Sequence, residues 1–264
     1  MRIGDFETSI GLGTWRMGGG YWESDSSRDD YWIDVIRYAV EKGLKLIDTA
    51  EMYGGGHAEE LVGRAVAGLE RDSLFIVTKL WSNHLRYDDV LKYGTASVKR
   101  LGLKYADMLL IHWPNPGVPI SETVRAMERL VEKGLFRFIG VSNFNEEELR
   151  VAMESTSKYT ITANEIEYSV IKKDPEEGLI PYCEKNKVAI IAYTPLARGK
   201  VAEEPGVKKI AEKYGKTPIQ VALKYLMRRS IPIPKASSKP HIDEIVGANG
   251  WDLVEQDYQY LRNL

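Results

Sequence analysis

The chain is predicted to fold as an α/β protein, a (β/α)8 TIM barrel with a short N-terminal β-hairpin and a C-terminal helix, on three observations. Short β-type apolar runs alternate with longer amphipathic stretches, the pattern of a parallel sheet covered by helices. Between Asp48 and Lys235 the runs end at intervals of about 31 residues, close to the roughly 30 that one βα unit needs. The length of 264 residues matches the roughly 250 of eight such units and favours closure into a barrel over an open sheet. No low-complexity stretch or Pro/Gly/Ser-rich linker divides the sequence, so residues 1–264 are read as a single domain.

Taken in order, Met1 to Trp15 reads as a small hairpin. Leu44–Asp48, Leu74–Lys79 and Ala106–His112 read as buried strands, each a short apolar run bounded by polar or turn residues. Further runs end near Ser142, Tyr168, Tyr193 and Lys235, and an eighth strand is assigned to Ile245–Ala248. Helices are expected at 28–42, 57–69, 86–101, 120–132, 145–155, 175–186 and 217–228. Asn145, Asp174 and Thr217 open three of them as caps, and Pro218 occupies a first turn, where its missing N–H has no helical partner to lose. Glu255 to Leu264 closes the chain as a short helix.

Composition narrows the function. With 36 Lys+Arg against 38 Asp+Glu the formal charge is −2, so no overall attraction draws the chain to nucleic acid or an anionic membrane. The longest apolar stretches, such as Val188–Tyr193, fall far short of the roughly 18 residues of a membrane span. The first residues lack the pattern of a signal peptide, and a lone cysteine, Cys183, forms no internal disulfide. The expectation is a cytoplasmic protein acting on a small molecule, with no nucleic-acid or membrane partner.

Active sites of barrels lie at the C-terminal ends of the strands. The polar residues that end the apolar runs are Asp48, Lys79, His112, Ser142, Asn143, Glu165, Tyr193 and Lys235. Tyr53 follows the first run closely enough for its ring to lean back over the mouth. Singly, each has a structural explanation: Asp48 as a helix cap, Lys79 as a rim lysine, His112 as a satisfied barrel histidine. The four histidines, His57, His84, His112 and His241, show no clustered ligand spacing, so no metal site is expected.

Together, and in this order, these residues resemble those of the aldo-keto reductases. The resemblance is carried by Gly11-Leu-Gly-Thr-Trp15, Ile47-Asp-Thr-Ala-Glu-Met-Tyr-Gly54, Ile76-Val-Thr-Lys-Leu-Trp81, Leu110-Ile-His-Trp-Pro114, Gly140-Val-Ser-Asn-Phe144, Asn164-Glu-Ile-Glu-Tyr168, Ala192-Tyr-Thr-Pro-Leu196 and Ile233-Pro-Lys-Ala-Ser237. It implies an NADPH-dependent carbonyl reductase with Asp48, Tyr53, Lys79 and His112 as its catalytic residues. A phenol with a reference pKa near 10 donates poorly at neutral pH unless its anion is stabilised, and an ammonium such as Lys79 stabilises it. Tyr53 is therefore the expected general acid. Asp48 holds Lys79 charged, and His112 orients the substrate oxygen.

The resemblance also distributes the cofactor. Ser142, Asn143 and Glu165 match positions at the nicotinamide carboxamide, Tyr193 the ring stack, and Thr194, Leu196 and Arg198 the pyrophosphate. Lys235, Ser237, Ser238 and His241 match the segment that grips the adenosine 2′-phosphate, with Glu244 beyond them. This segment implies NADPH, with NADH as a weaker alternative. Three positions depart from the pattern: His241 stands where arginine is frequent, Ile245 where an asparagine would contact adenine, and Glu165 where glutamine is usual. Glu165 has two readings, a carboxylate whose charge favours the oxidised nicotinamide, or a group paired with a nearby base or protonated, because an isolated buried carboxylate is costly.

Trp15, Trp81 and Trp113 match positions of the family's substrate cleft, and Trp22 lies in the adjoining loop. They predict an apolar pocket for the substituent of an aldehyde or ketone. The short loop from Trp113 to Pro119 implies an open cleft, and the family implies a monomer. Two rivals are a non-catalytic NADP(H)-binding sensor or structural protein, which would keep the same motifs, and a Schiff-base lyase using Lys79. The second needs an uncharged lysine, which Asp48 opposes.

Overall fold

The computed structural model describes residues 1–264. Strands β1 (Arg2–Ile3) and β2 (Phe6–Glu7) form an antiparallel hairpin. The barrel begins with β3 (Gly11–Gly13) and α1 (Asp29–Glu41), then β4 (Leu46–Asp48) and α2 (His57–Val66), β5 (Phe75–Leu80) and α3 (Tyr87–Arg100). It continues through β6 (Ala106–Ile111), α4 (Ile120–Glu132), β7 (Phe136–Ser142), α5 (Glu146–Glu154), β8 (Ile161–Glu167) and α6 (Leu179–Lys185). The last part holds β9 (Ala189–Tyr193), α7 (Pro205–Tyr214), α8 (Pro218–Leu226), β10 (Ile231–Pro232), α9 (Lys239–Val246) and α10 (Glu255–Arg262).

Strands β3 to β10 pair in chain order, all parallel. The seam between the two ends is closed by Gly13, whose N–H donates to the Pro234 carbonyl at 3.1 Å. Glycine is required there, because a Cβ at position 13 would stand 2.8 Å from the Ile233 carbonyl oxygen. The barrel is filled by Leu46, Phe75, Val77, Met108, Leu110, Ile191 and their neighbours, and a larger apolar layer lies between strands and helices. The hairpin plugs the N-terminal end: Phe6 stacks on Phe75 at 4.9 Å, and Arg137 bridges Asp5 to the buried Asp107. At the other end of the chain, buried Glu176 accepts from Tyr168, Tyr225 and Arg262, which ties α10 to the barrel.

Eight strands are present as predicted, but one was assigned to the wrong segment. Residues 245–248 are the tail of α9 and the turn after it, not a strand. Ser238 caps that helix, Pro240 sits in its first turn, and Ile242 and Ile245 are buried at helical spacing. The missing strand is Gly11–Gly13, inside the stretch read as hairpin; its glycines serve close backbone approach rather than a turn. The helix expected at 175–186 begins only at Leu179, and Asp174 opens a separate 3-10 turn. Helices α7 and α9 were not anticipated. Asn145 and Thr217 cap as expected, each in a reciprocal capping box. No helix is long and apolar enough to cross a membrane. Cys183 is buried, and burial pushes its thiol up to about 12, so it is an inert core group.

Candidate active site

The C-terminal ends of β4, β5 and β6 bring Asp48, Lys79 and His112 to one point. Asp48 ends its strand, Lys79 lies one residue before the end of β5, and His112 follows β6, with its N–H donating to the Leu80 carbonyl at 2.9 Å. Tyr53 arrives from a 3-10 turn, Tyr53–Gly56, in which Gly54, Gly55 and Gly56 all have positive φ. A Cβ at Gly54 would stand 2.5 Å from the Gly18 carbonyl oxygen, and one at Gly55 2.7 Å from that of Trp22. The three glycines thus let the turn fold tightly under the loop before α1.

Lys79 is fully buried. Its Nζ donates to both oxygens of Asp48 at 2.6 and 2.5 Å, to the Thr49 carbonyl at 3.1 Å and to the Tyr53 hydroxyl at 3.3 Å. Glu165 adds a second carboxylate, with Oε1 at 3.4 Å from the same Nζ and Oε2 buried without a partner. Burial alone would lower the Lys79 pKa, but the charges of Asp48 and Glu165 overcome it and raise it. Asp48 and Glu165 are both raised, Glu165 well above the usual carboxylate range, with burial the largest cause in each. Of the two readings of Glu165, the geometry supports the second in its paired form, a carboxyl group set against a base.

Burial raises the Tyr53 phenol, Lys79 works against that rise, and the two carboxylates add to it. Tyr53 is therefore a protonated donor with a cation in contact. His112 packs edge-on against Tyr53 at 5.8 Å and against Trp81 at 5.4 Å. Burial, then the charge of Lys79, hold its imidazole well below the ordinary histidine value. Its Nδ1 is buried with no partner in the protein.

Around this core the mouth is built from strained backbone. Arg16, Asn143, Thr194, Ala197 and Arg198 are non-glycine residues at positive φ, and all lie in loops that follow barrel strands; such conformations persist where the surroundings enforce them. Tyr193 donates to Asn143 Oδ1 at 2.7 Å, and Asn143 Nδ2 donates to the His112 carbonyl and to Ser142 Oγ, each at 3.0 Å. Ser142, Asn143, Tyr193 and Glu165 thus line one wall beside the Lys79 cluster. Thr194, Leu196 and Arg198 continue it into the kinked Ala197–Ala202 segment. Lys235 lies beyond the short β10, next to Ser237, whose Oγ is 3.0 Å from His241 Nδ1, and Ser238, which caps α9. Glu244 lies within α9.

The tryptophans are brought together only in part. Trp15 packs on Tyr53 at 4.9 Å, and Trp22 meets Trp81 edge-on at 6.3 Å. Trp113 is 44% exposed and stacks on none of them. Sequence reasoning missed Glu51, buried beneath this wall, which accepts from the Trp81 backbone N–H at 2.6 Å and from His84 at 2.9 Å. Its position inside the Asp48-to-Tyr53 segment was the available signal.

The polar groups at this mouth suit a dinucleotide in kind. The orphaned polar atoms His112 Nδ1 and Glu165 Oε2 would be met by the hydrogen-bonding groups of such a ligand, and Lys235, which has no carboxylate partner beside Ser237, by its phosphates. Residues 9–264 match the model of the Aldo/keto reductase family. Methylglyoxal reductase DkgB of Yersinia pestis is 34% identical over 234 residues, covering 87% of this chain and 82% of that protein. The solved structure of a thermostable aldo-keto reductase with the inhibitor epalrestat superposes with a TM-score of 0.94 at 40% identity, covering 99% of this chain and 97% of that one. An aldo/keto reductase from Klebsiella pneumoniae in complex with NADP and acetate gives 0.89 at 32% identity, covering 97% and 90%.

Proposed function

The chain belongs to the aldo/keto reductase family, whose members are NAD(P)H-dependent oxidoreductases of carbonyl compounds, and from that premise we propose that it reduces aldehydes and ketones with NADPH, Tyr53 serving as the general acid. The observation that carries this reading is the Lys79 ammonium, locked by Asp48 at 2.5 Å and in contact with the Tyr53 hydroxyl at 3.3 Å. The cofactor, when bound, supplies the hydride. Ser142, Asn143 and Glu165 would hold its carboxamide, Tyr193 its ring, Thr194, Leu196 and Arg198 its pyrophosphate, and Lys235, Ser237, Ser238, His241 and Glu244 its adenosine end.

Tyr53 passes its proton to the carbonyl oxygen and is left as a phenolate beside Lys79. The ammonium stabilises that anion without giving up its own proton, because Asp48 and Glu165 hold it charged. For the same reason Lys79 is a poor Schiff-base nucleophile, which weighs against a lyase. His112, kept neutral, donates a hydrogen bond that turns the carbonyl toward Tyr53. Trp15, Trp22 and Trp81 would enclose the apolar part of the substrate with Trp113 at its exposed edge, and the short loop from Trp113 to Pro119 suits small aldehydes such as methylglyoxal.

The test is NADPH consumption with methylglyoxal, glyceraldehyde and a nitrobenzaldehyde, beside NADH and the Tyr53→Phe variant. General acid catalysis is worth about 10²–10⁴-fold, so Tyr53→Phe is expected to lose turnover on that scale and keep its NADPH affinity. Equal turnover in the variant would end the role of Tyr53. NADPH binding with no turnover on any carbonyl would favour a cofactor-binding sensor.

A further inference from the structure

Helix α1 and the segment after β10 are fastened into one face. The Tyr31 hydroxyl donates to the Ser237 carbonyl at 2.5 Å, Lys239 pairs with Asp34 at 2.9 Å, and both Tyr38 and Lys42 reach Asp243. The carboxylates of this face are thereby assigned: Asp34 to Lys239 and Asp243 to Lys42. Asp29, at the start of α1, is held by His57 and Arg64.

Two cations on the face are left without a carboxylate, and both turn to the same indole. Arg28, the residue capping α1, has its Cζ 5.1 Å from the Trp32 ring centroid and 4.2 Å from that of Tyr31. Lys235 has its Nζ 5.0 Å from the Trp32 centroid. Arg16, on the loop after β3, is a third positive charge near them, and it too makes no ion pair. Asp25 lies within electrostatic reach of Arg28 but makes no ion pair with it; the gathered like charges repel, and an aromatic face compensates each by only about 0.5–1 kcal/mol at an exposed site. The arrangement is one that a bound anion would stabilise. The N-terminal end of α9, capped by Ser238, opens beside it and favours the same sign of ligand.

We propose that Arg28 grips the 2′-phosphate of NADP(H) jointly with Lys235, the two reaching it from opposite ends of the chain. The segment 235–241 holds lysines and a histidine but no arginine; Arg28 supplies the planar, two-pronged donor that phosphate recognition favours. Arg28 is thereby a specificity-determining residue, separating NADPH from NADH. This inference rests on the reading that the mouth binds a nicotinamide dinucleotide.

The experiment measures binding, not turnover. Quenching of tryptophan fluorescence, to which Trp32 contributes directly, gives Kd for NADPH, NADH, 2′,5′-ADP and 5′-ADP in wild type, Arg28→Gln, Arg28→Lys and Lys42→Gln. A lost charge-assisted contact weakens binding roughly 10-fold to 100-fold. Arg28→Gln is expected to lose that much for NADPH and 2′,5′-ADP and to leave NADH and 5′-ADP within about 2-fold. Arg28→Lys should recover part of the loss, and Lys42→Gln, a cation already paired on the same face, should leave all four affinities unchanged. Equal losses for NADPH and NADH, or none for either, would overturn the role of Arg28 while leaving the dinucleotide reading intact. A wild type that binds neither dinucleotide would overturn both.

Discussion

Glu165 sets its Oε1 3.4 Å from Nζ of Lys79, the same ammonium that holds both oxygens of Asp48 and touches the Tyr53 hydroxyl. One cation therefore serves two buried carboxyl groups. Whenever both are ionised the cluster carries a net negative charge, and that charge opposes the formation of a phenolate at Tyr53. A glutamine at position 165 would leave the ammonium and Asp48 balanced; the second carboxyl is what gives the cluster its acidic character.

The first consequence concerns the reaction read in the direction of alcohol oxidation. Tyr53 must then be a phenolate, so the rate climbs with pH through its pKa. Burial raises that pKa and Glu165 raises it further. Glu165→Gln removes one of the raising charges, so the rising limb should move to lower pH. A profile of kcat/KM with an alcohol and NADP checks this, and an unmoved limb would show that Glu165 carries no charge while Tyr53 titrates.

Stability should respond to the same substitution in a pH-dependent way. The folded-state pKa of Glu165 lies well above its unfolded value, so between the two the folded chain binds the extra proton and stability falls as pH rises. The cost is absent below the ordinary glutamate value near 4.3. Glu165→Gln should therefore match the wild-type Tm at acid pH and exceed it increasingly toward neutrality. A gain of equal size at every pH would assign the effect to packing.

Lys79→Met should be costly for a different reason. It leaves Asp48 and Glu165 buried with no cation, and breaking a buried pair from one side typically costs about 3–5 kcal/mol. The second change, Asp48→Asn, removes one of the stranded charges and should return part of the lost stability without restoring turnover. Urea denaturation of the single and double variants measures this. A double variant no more stable than Lys79→Met would mean that the stranded carboxyls simply protonate.

Much of this arrangement was legible in the sequence, because strand ends of a parallel barrel are marked by polar residues that interrupt apolar runs. Asp48, Lys79 and His112 stood out in that way, and Tyr53 through its place just after the first of these strand ends. What escaped has physical causes. Gly11–Gly13 has no β-branched residue, and its glycines answer to the Ile233 backbone across the seam and to Leu46 on the neighbouring strand, contacts no local window contains. The pairing of Glu165 with Lys79 joins two strands far apart in sequence. Arg28 is an exposed arginine at a helix start, and only the fold sets it over the same indole as Lys235.

His112 carries the last prediction. Burial first, and then the positive charge of Lys79, depress its pKa well below the ordinary value, so it enters the reaction as a neutral donor. Between pH 5 and 8, where an unperturbed histidine would titrate, kcat/KM for carbonyl reduction should show no limb belonging to it. Replacing it by glutamine keeps a neutral donor and should retain part of the activity, whereas His112→Ala should lose more, chiefly in kcat/KM. Its charge state can be read directly from the ring nitrogens by NMR. The resonances should hold steady across that range in wild type, and in Lys79→Met, where the depressing charge is gone, the titration should move up toward neutrality. A wild-type imidazole that protonates near 6.5 would instead make His112 a proton donor in its own right and displace Tyr53 from that role.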